Sequence, residues 1–210
     1  MTPGNPLQPT AAIEFYFDFI SPFGYFASLR VEQLAARHGR TVDWYAIRLG
    51  VSVVKIMGLK PLLETPLKGA YLVREAGRYA RLHGLVLKRP FDAPQMDPRA
   101  CARAFYWFKT HRPGSEARLA GALLHAHWVD GLELGTPQAA AQGAGRAGFS
   151  AEEVLAAIES EESQALLRAA VEAAVARGIF GSPTVVIDGE PFWGVQSLEL
   201  AERWLETGGW

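Results

Sequence analysis

The sequence contains a single cysteine, Cys101, among its 210 residues. A disulfide within the chain is therefore impossible, and a lone thiol is typical of proteins from a reducing compartment. The N-terminus has neither the basic segment nor the apolar segment of a secretory signal. These features predict a cytoplasmic protein.

Long apolar runs and an excess of charge of one sign are also missing. No run approaches the roughly 20 apolar residues that a transmembrane helix needs, and the formal net charge is -1. Basic residues cluster only briefly, as in Lys88-Arg89, and such short clusters are typical of solvated helix faces. We therefore expect neither a membrane partner nor a nucleic-acid partner.

The residues that are present are those of an ordinary globular protein, with 49% hydrophobic and 20% charged side chains. Residues 1–12 are rich in Pro, Gly and Thr, and we expect them to form a flexible leader. The apolar segment Ile13–Ile20 predicts a buried strand. Ser21-Pro22 then predicts the start of a helix that continues to about His38, because Ser is a favourable N-cap and Pro fits the first helical position.

The middle of the chain predicts consecutive helices. Residues 41–48 alternate as a second strand would, but from residue 59 to residue 178 the Ala, Leu, Arg and Glu content rises. Ser150 begins a sequence with capping-box spacing, since Glu153 follows three residues later. The predicted helices cover residues 66–83, 98–111, 115–129, 136–147, 150–159 and 161–177.

Strand patterns return near the C-terminus. Thr184–Ile187 and Pro191–Trp193 flank Asp188-Gly189-Glu190, which is typical of a tight hairpin turn, and a last helix is expected over residues 196–206. The predicted order is βαβ, a helical stretch, then ββα. We therefore predict an α/β protein with two parts: a small sheet domain from residues 13–58 and 179–210, and an inserted helical domain from residues 59–178.

Two motifs resemble those of a known family. Residues 17–25, FDFISPFGY, and residues 180–184, FGSPT, are similar to segments of the 2-hydroxychromene-2-carboxylate isomerases and of the related kappa-class glutathione transferases. The resemblance covers nearly all of residues 13–206 and implies a thioredoxin-like fold of the DsbA-like superfamily. The other matching residues are Pro66-Leu67-Lys68 with Tyr71, and Phe192-Trp193-Gly194.

The redox members of that superfamily carry Cys-x-x-Cys at the start of the first helix. Here Ser21 stands at the first cysteine position and Gly24 at the second, while Cys101 lies in the predicted helical insertion. Disulfide exchange requires a thiolate that attacks sulfur. The sequence therefore excludes a disulfide oxidoreductase that uses this motif.

The resemblance implies that glutathione is the cofactor and that Ser21 is the catalytic residue. The Ser21 hydroxyl would donate a hydrogen bond to the bound thiol, and the free N–H groups of a helix start favour an anion. Together they would lower the thiol pKa from about 8.5 into the physiological range. The alternative is that Ser21 serves only as an N-cap.

The resemblance also implies where glutathione binds. The bond before Pro183 is cis in the resembled families, which leaves the backbone of Ser182 free to pair with the peptide; an ordinary proline at a strand entry is the alternative. The γ-glutamyl end would lie at the start of the last helix. The resembled families have Asp and Arg there, and the loss of one charge-assisted hydrogen bond would weaken binding by about 1.5–3 kcal/mol. This chain has Val195-Gln196-Ser197 there instead, and these three residues together with Gly194 are its predicted contacts to that end of glutathione.

For the substrate, Lys55 and Lys68 are the predicted partners of a carboxylate, with solvated lysines as the alternative. Residues 105–107, Phe-Tyr-Trp, would either line an apolar pocket or belong to the helix core. His125 and His127 are two residues apart and so point to different faces of a helix. We therefore expect no metal site there.

The function implied by the resemblance is a glutathione-dependent isomerase of 2-hydroxychromene-2-carboxylate-like intermediates in aromatic degradation. The thiolate would add to the substrate, the ring would open, a bond would rotate, and elimination would restore the thiol. A kappa-type glutathione transferase is one alternative, because it uses the same thiolate but releases a conjugate. A non-catalytic binding protein on a thioredoxin scaffold is another. The resembled families also suggest a homodimer.

Overall fold

A four-stranded sheet in the order β2-β1-β3-β4 organises the protein. The computed structural model describes residues 12–210, so all but the last residue of the predicted leader lies outside the described residues. β1 (Ile13–Phe17) pairs in parallel with β2 (Val42–Ala46). On its other side β1 pairs with β3 (Thr184–Ile187) in antiparallel fashion, and β3 pairs with β4 (Glu190–Trp193). This is the predicted βαβ and ββα arrangement.

The central strand is shorter than predicted. β1 ends at Phe17 because the next residue turns out of the ladder: the N–H of Asp18 donates to Ser182 Oγ at 2.9 Å, and its carboxyl accepts the N–H of Ile20 at 3.2 Å. Phe15 and Phe17 are fully buried, as an inner strand requires. Residues 18–21 therefore form a turn at the carboxyl end of β1, beside the start of the first helix.

The single helix predicted from Ser21 to His38 is wrong, because the structure has two helices there. α1 covers Pro22–Ser28 and α2 covers Val31–Arg37. Ser28 Oγ donates to the carbonyl of Tyr25 at 2.7 Å, a side-chain bond that competes with helix continuation. After β2, a π-helix at Gly50–Ile56 and a short 3-10 helix at Leu62–Glu64 lead to the helical part.

Six further helices follow at nearly the predicted positions. Ser150 is an N-cap as expected, since its Oγ accepts the N–H of Glu153 at 3.2 Å. The helices are α3 (Lys68–Leu82), α4 (Arg99–His111), α5 (Glu116–Trp128), α6 (Pro137–Gly145), α7 (Ala151–Glu159) and α8 (Glu161–Ala176). None of the helices in residues 12–210 is long and apolar enough to cross a bilayer.

The C-terminal part confirms the predicted hairpin. Asp188 and Gly189 both have positive φ, 52° and 92°, as the tight turn between β3 and β4 requires. The last helix begins later than expected: a 3-10 turn covers Val195–Ser197, and α9 covers Leu198–Thr207. These residues place the start of α9 beside β4.

One hydrophobic core joins the sheet to the inserted helices. Phe17 meets Phe105 edge to face with ring centroids 5.6 Å apart, and the hydroxyl of Tyr106 donates to the carbonyl of Ala46 at 2.8 Å. The aromatic segment of α4 is therefore core, and the interpretation of it as a pocket wall is wrong. His125 is exposed whereas His127 is buried, so the two histidines lie on different faces as predicted.

Candidate active site

Ser21 lies at the junction of β1 and α1 and is 5% exposed. Its Oγ accepts the N–H of Gly24 at 3.0 Å, so Ser21 is the N-cap of α1. The same hydroxyl donates to the carbonyl of Ser182 at 3.1 Å. Pro22 has no N–H, and the N–H of Phe23 has no hydrogen-bond partner among residues 12–210. The turn thus presents a hydroxyl and an unused N–H group side by side.

The second motif packs directly against the first. The Ser182-Pro183 peptide bond is cis, and Ser182 Oγ is held by the N–H of Asp18. Gly24 makes this approach feasible, because a Cβ at residue 24 would lie 2.7 Å from Ser182 Oγ. The N–H of Ser182 has no partner in the described part of the chain. The two motifs that carry the sequence resemblance therefore form one site.

The buried carboxyl of Asp18 stabilises the turn between β1 and α1. Asp18 is fully buried, and its Oδ2 accepts the N–H of Leu49 at 2.8 Å while Oδ1 accepts the N–H of Ile20. Burial raises the pKa of Asp18 to about 6, although these N–H donors and the charge of Arg48 act in the opposite direction. Asp18 therefore ties the end of β1 to the segment after β2.

A cavity of about 490 Å³ opens beside Ser21. Its walls come from the start of α1, the segment after β2, α3, the C-terminal end of α5 and the residues around Ser182. Most of the lining is apolar. The aromatic residues that line it are Phe23, Phe91, Trp128, Phe180 and Trp193.

Trp128 and Trp193, which both line the cavity, are each positioned by a specific contact. Trp128 Nε1 donates to the carbonyl of Phe19 at 3.2 Å, which joins the end of α5 to the turn after β1. Trp193 packs over Gly181 so closely that a Cβ there would lie 2.1 Å from its Nε1. The cavity walls are therefore built from both the sheet and the inserted helices.

The charges along the cavity are all of one sign. Lys60, Lys68 and Arg89 are among the lining residues, and no Asp or Glu is among them. Of the two lysines predicted to bind a substrate carboxylate, Lys68 lines the cavity, whereas Lys55 is exposed and does not line it. Lys60 was missed because spacing alone does not show which lysine of the segment after β2 faces inward. The cavity suits an anionic ligand.

Two buried polar residues of the cavity were also missed. Arg89 is only 9% exposed, so the interpretation of Lys88-Arg89 as a solvated face is wrong for Arg89. His127 is 1% exposed, and its Nδ1 lies 2.9 Å from the carbonyl oxygen of Leu132. Burial lowers the pKa of His127 to about 4. The described residues contain no cluster of His, Cys, Asp or Glu suited to a metal ion.

The predicted γ-glutamyl site lies next to the cavity, not within its lining. Pro183 and the four residues from Gly194 to Ser197 are not among the lining residues, whereas Ser182 and Trp193 are. Val195 is buried, and Ser197 Oγ donates to the carbonyl of Trp193 at 2.6 Å. Gln196 Nε2 donates to Glu75 Oε1 at 2.7 Å. A carboxylate from α3 therefore lies beside Gln196, in the segment Val195-Gln196-Ser197 that has no carboxylate of its own.

Cys101, the only cysteine of the sequence, is not part of the cavity. Cys101 is fully buried in α4, and its Sγ lies 3.9 Å from the carbonyl oxygen of Leu134. Burial raises the pKa of the Cys101 thiol well above its usual range. Cys101 is therefore core, and no cysteine thiol lines the cavity.

Comparison with known proteins agrees with this geometry. Residues 12–206 match the family model of the DSBA-like thioredoxin domain. A 2-hydroxychromene-2-carboxylate isomerase from Pseudomonas putida is 28% identical over 194 residues, covering 90% of this chain and 92% of the relative. An enzyme of the same name from Sphingobium xenophagum is 27% identical over 197 residues, covering 93% and 98%.

Solved structures give the same result. A 2-hydroxychromene-2-carboxylate isomerase superposes with a TM-score of 0.81 at 26% sequence identity, covering 93% of this chain and 95% of the other. The predicted thioredoxin-like fold and the resemblance drawn from the two motifs are both confirmed. The chain belongs to the DSBA-like thioredoxin family, and within it is similar to the 2-hydroxychromene-2-carboxylate isomerases over nearly its whole length.

Proposed function

We propose that the protein is a glutathione-dependent isomerase of 2-hydroxychromene-2-carboxylate-like compounds. The observation that carries this proposal is the cavity itself: apolar walls, a positive lining, and Ser21 in place of a cysteine at the start of α1. The cavity lining includes no cysteine, so a thiol has to come from a second molecule. The names of the relatives support isomerisation as the reaction.

The residues around Ser21 fit glutathione. Ser182 offers a backbone N–H without a partner among the described residues, next to Pro183, and a carbonyl that accepts only the Ser21 hydroxyl. A peptide that lies along this segment can pair with both groups, as an added strand does. Ser182 would therefore hold the middle of glutathione, and Ser21 would meet its sulfur.

The far end of glutathione has a substitute partner. Glu75 would supply the carboxylate that Val195-Gln196-Ser197 lacks, because its side chain already contacts Gln196. Gln196 is exposed, and Glu75 is half-buried, so an ammonium group can reach them from solvent. A charge-assisted hydrogen bond of this kind is worth about 1.5–3 kcal/mol. Glu75 would therefore offset the binding energy that the sequence departure removes.

When bound, glutathione would supply a thiolate that adds reversibly to an electron-poor carbon of the substrate and so lets a carbon–carbon bond rotate. Ser21 stabilises that negative charge by turning its hydroxyl hydrogen from the Ser182 carbonyl toward the sulfur. The N–H of Phe23 adds a second donor, since it has no other partner among the described residues. The oxygen of Ser21 and the nitrogen of Phe23 are held in place before binding, so only the hydroxyl hydrogen has to turn, and such an arrangement favours charge development.

The cavity walls select the substrate. Phe91 and Trp128 have ring centroids 6.1 Å apart and form an apolar surface for a planar ring. Lys60, Lys68 and Arg89 favour a carboxylate on that ring. An aromatic carboxylate satisfies both requirements, whereas a neutral or cationic ring satisfies only the first.

The test is the isomerisation of 2-hydroxychromene-2-carboxylate, followed by absorbance with and without glutathione. We expect turnover to rise with glutathione to saturation, and free glutathione to be recovered quantitatively. S-methylglutathione is the matched control, because it keeps the peptide and blocks the thiol; it should inhibit. A lasting thioether product would contradict isomerisation and support the transferase alternative. If the protein neither binds glutathione nor turns over the substrate, the alternative of a non-catalytic binding protein for another ligand would be supported.

A further inference from the structure

Arg89 and His127 form a polar corner in the largely apolar cavity. The backbone N–H of Arg89 donates to the carbonyl of Trp128 at 3.2 Å, so Arg89 lies against the C-terminal end of α5, which carries His127. Both side chains are nearly buried and both line the cavity. Arg89 is one of three cations that favour a substrate carboxylate, and His127 has no role in the chemistry at Ser21.

Arg89 retains donors for a ligand. Its Nη1 donates to Glu133 Oε2 at 3.0 Å, and its Nη2 donates to the carbonyl of Pro94. A guanidinium has five N–H donors, so three remain without a partner among the described residues. Glu133 is 59% exposed, so solvent screens part of its charge, whereas Arg89 faces the cavity at low exposure. A buried guanidinium with free donors binds a carboxylate with defined geometry.

His127 offers the opposite kind of group. The Leu132 carbonyl can only accept, so Nδ1 of His127 carries the hydrogen of that bond. Burial and the nearby charge of Arg89 keep the ring neutral. Nε2 therefore carries a lone pair, and the only hydrogen bond of the His127 ring among residues 12–210 is the one made by Nδ1. The corner thus combines a cation that donates with a nitrogen that only accepts.

We propose that Arg89 and His127 form a subsite for an α-hydroxy carboxylate, in which Arg89 binds the carboxylate and His127 Nε2 accepts the hydrogen of the adjacent hydroxyl. This assignment rests on the proposed function for the identity of the substrate, whose carboxylate and hydroxyl stand on one carbon. A simple carboxylate satisfies Arg89 alone. An α-oxo carboxylate brings an acceptor against the lone pair of Nε2, which is unfavourable.

The subsite predicts a selectivity that the two lysines do not. Lys60 and Lys68 are exposed and carry point charges on flexible stems. They therefore attract any anion, whether or not it has a hydroxyl next to its carboxylate. Arg89 and His127 are held by backbone carbonyls and by packing. The cavity should therefore prefer an α-hydroxy acid to the matching acid without the hydroxyl, and should disfavour the α-oxo acid.

The experiment is calorimetric titration of the full chain with mandelate, phenylacetate and phenylglyoxylate, which share a ring and a carboxylate. We expect mandelate to bind about tenfold more tightly than phenylacetate, as one hydrogen bond provides, and phenylglyoxylate to bind most weakly. Equal affinities for the three acids would overturn the proposal. Because no turnover is measured, this result does not depend on isomerase activity.

Variants assign the effect to each residue. Arg89→Gln should weaken mandelate and phenylacetate alike by at least about tenfold. Lys88→Gln is the matched control, since it removes the same charge one residue away from an exposed side chain that does not line the cavity. If Lys88→Gln lowers the affinity for both acids as much as Arg89→Gln does, the acids respond to the overall positive charge and not to contact with Arg89, and the proposal is overturned.

For His127, two substitutions by amide side chains distinguish the role of Nδ1 from that of Nε2. His127→Asn keeps a donor for the Leu132 carbonyl but has no group at the Nε2 position, so the preference for mandelate should disappear. His127→Gln places an amide at the Nε2 position and should recover part of it. A preference that survives in His127→Asn would overturn the proposal. Should either variant unfold, the ¹⁵N resonance of Nε2 in the unaltered protein gives the answer: it should shift with mandelate and stay unchanged with phenylacetate.

The two proposals fail separately. Selective mandelate binding without isomerase turnover would contradict the proposed function and leave the subsite intact. Glutathione-dependent turnover without selectivity among the three acids would contradict the subsite and leave the proposed function intact.

Discussion

Replacement of Ser21 by alanine removes two hydrogen bonds of one hydroxyl, and each has its own cost in stability. The hydroxyl caps α1 through the N–H of Gly24 and donates to the carbonyl of Ser182. Loss of the cap costs about 1 kcal/mol, and loss of the second hydrogen bond costs about 1 kcal/mol more. Thermal unfolding should therefore shift downward by roughly 4–8 °C for a domain of this size.

Activity should fall even under conditions in which the variant is fully folded. A hydrogen bond to a charged group is worth about 1.5–3 kcal/mol, so turnover should fall by about 10- to 100-fold at saturating glutathione. The assay is isomerisation at fixed pH, measured well below the unfolding temperature. Turnover also becomes more dependent on pH, because the thiol pKa rises by about one to two units.

Ser150→Ala is the matched control for Ser21→Ala. Ser150 caps α7 through the N–H of Glu153 at a similar distance and does not line the cavity. It should lose about 1 kcal/mol of stability and retain full turnover. If Ser21→Ala unfolds earlier but keeps nearly full turnover, Ser21 is only an N-cap and the account of the site is wrong.

Three further predictions concern buried or strained groups. The pKa of Asp18 is about 6 in the folded protein and 3.8 in the free group. Between these pH values the unfolded chain binds fewer protons than the folded protein, so the free energy of unfolding falls by about 3 kcal/mol as pH rises from the lower value to the higher. In urea unfolding, Asp18→Asn should flatten this pH dependence, and an unchanged slope would refute the prediction. Cys101 should react with a thiol reagent only in denaturant, because it is fully buried; rapid labelling of the folded protein would refute the placement. Gly189→Ala should lose about 1–2 kcal/mol in the same unfolding assay, because residue 189 has a φ of 92°; an unchanged midpoint would contradict the hairpin geometry.

Local chemistry made the fold and one end of the site predictable. Ser21 and Pro22 specify a helix start through cap preference and fixed φ, and Asp188-Gly189 specifies a turn with two positive φ angles. These signals act within a few residues and survive in the folded protein. The break between α1 and α2 was not predicted, because it depends on a Ser28 side-chain bond that propensity does not report.

The other end of the site could not be predicted, since it depends on contacts between distant segments. Arg89 appears in the sequence as half of a basic pair, and only its packing against the end of α5 buries it. Glu75 meets Gln196 across 121 residues of chain. Lys68 belongs to a segment that resembles the family and Lys55 does not, but only the course of the chain after β2 decides which of them lines the cavity.

The most direct test of the central claim is the pKa of the glutathione thiol in the complex, measured from the ultraviolet absorbance of the thiolate as pH rises. Binding beside Ser21 should lower this pKa by at least about one unit from about 8.5, and Ser21→Ala should reverse most of the shift. Bound glutathione whose thiol titrates as it does in free solution would contradict the account.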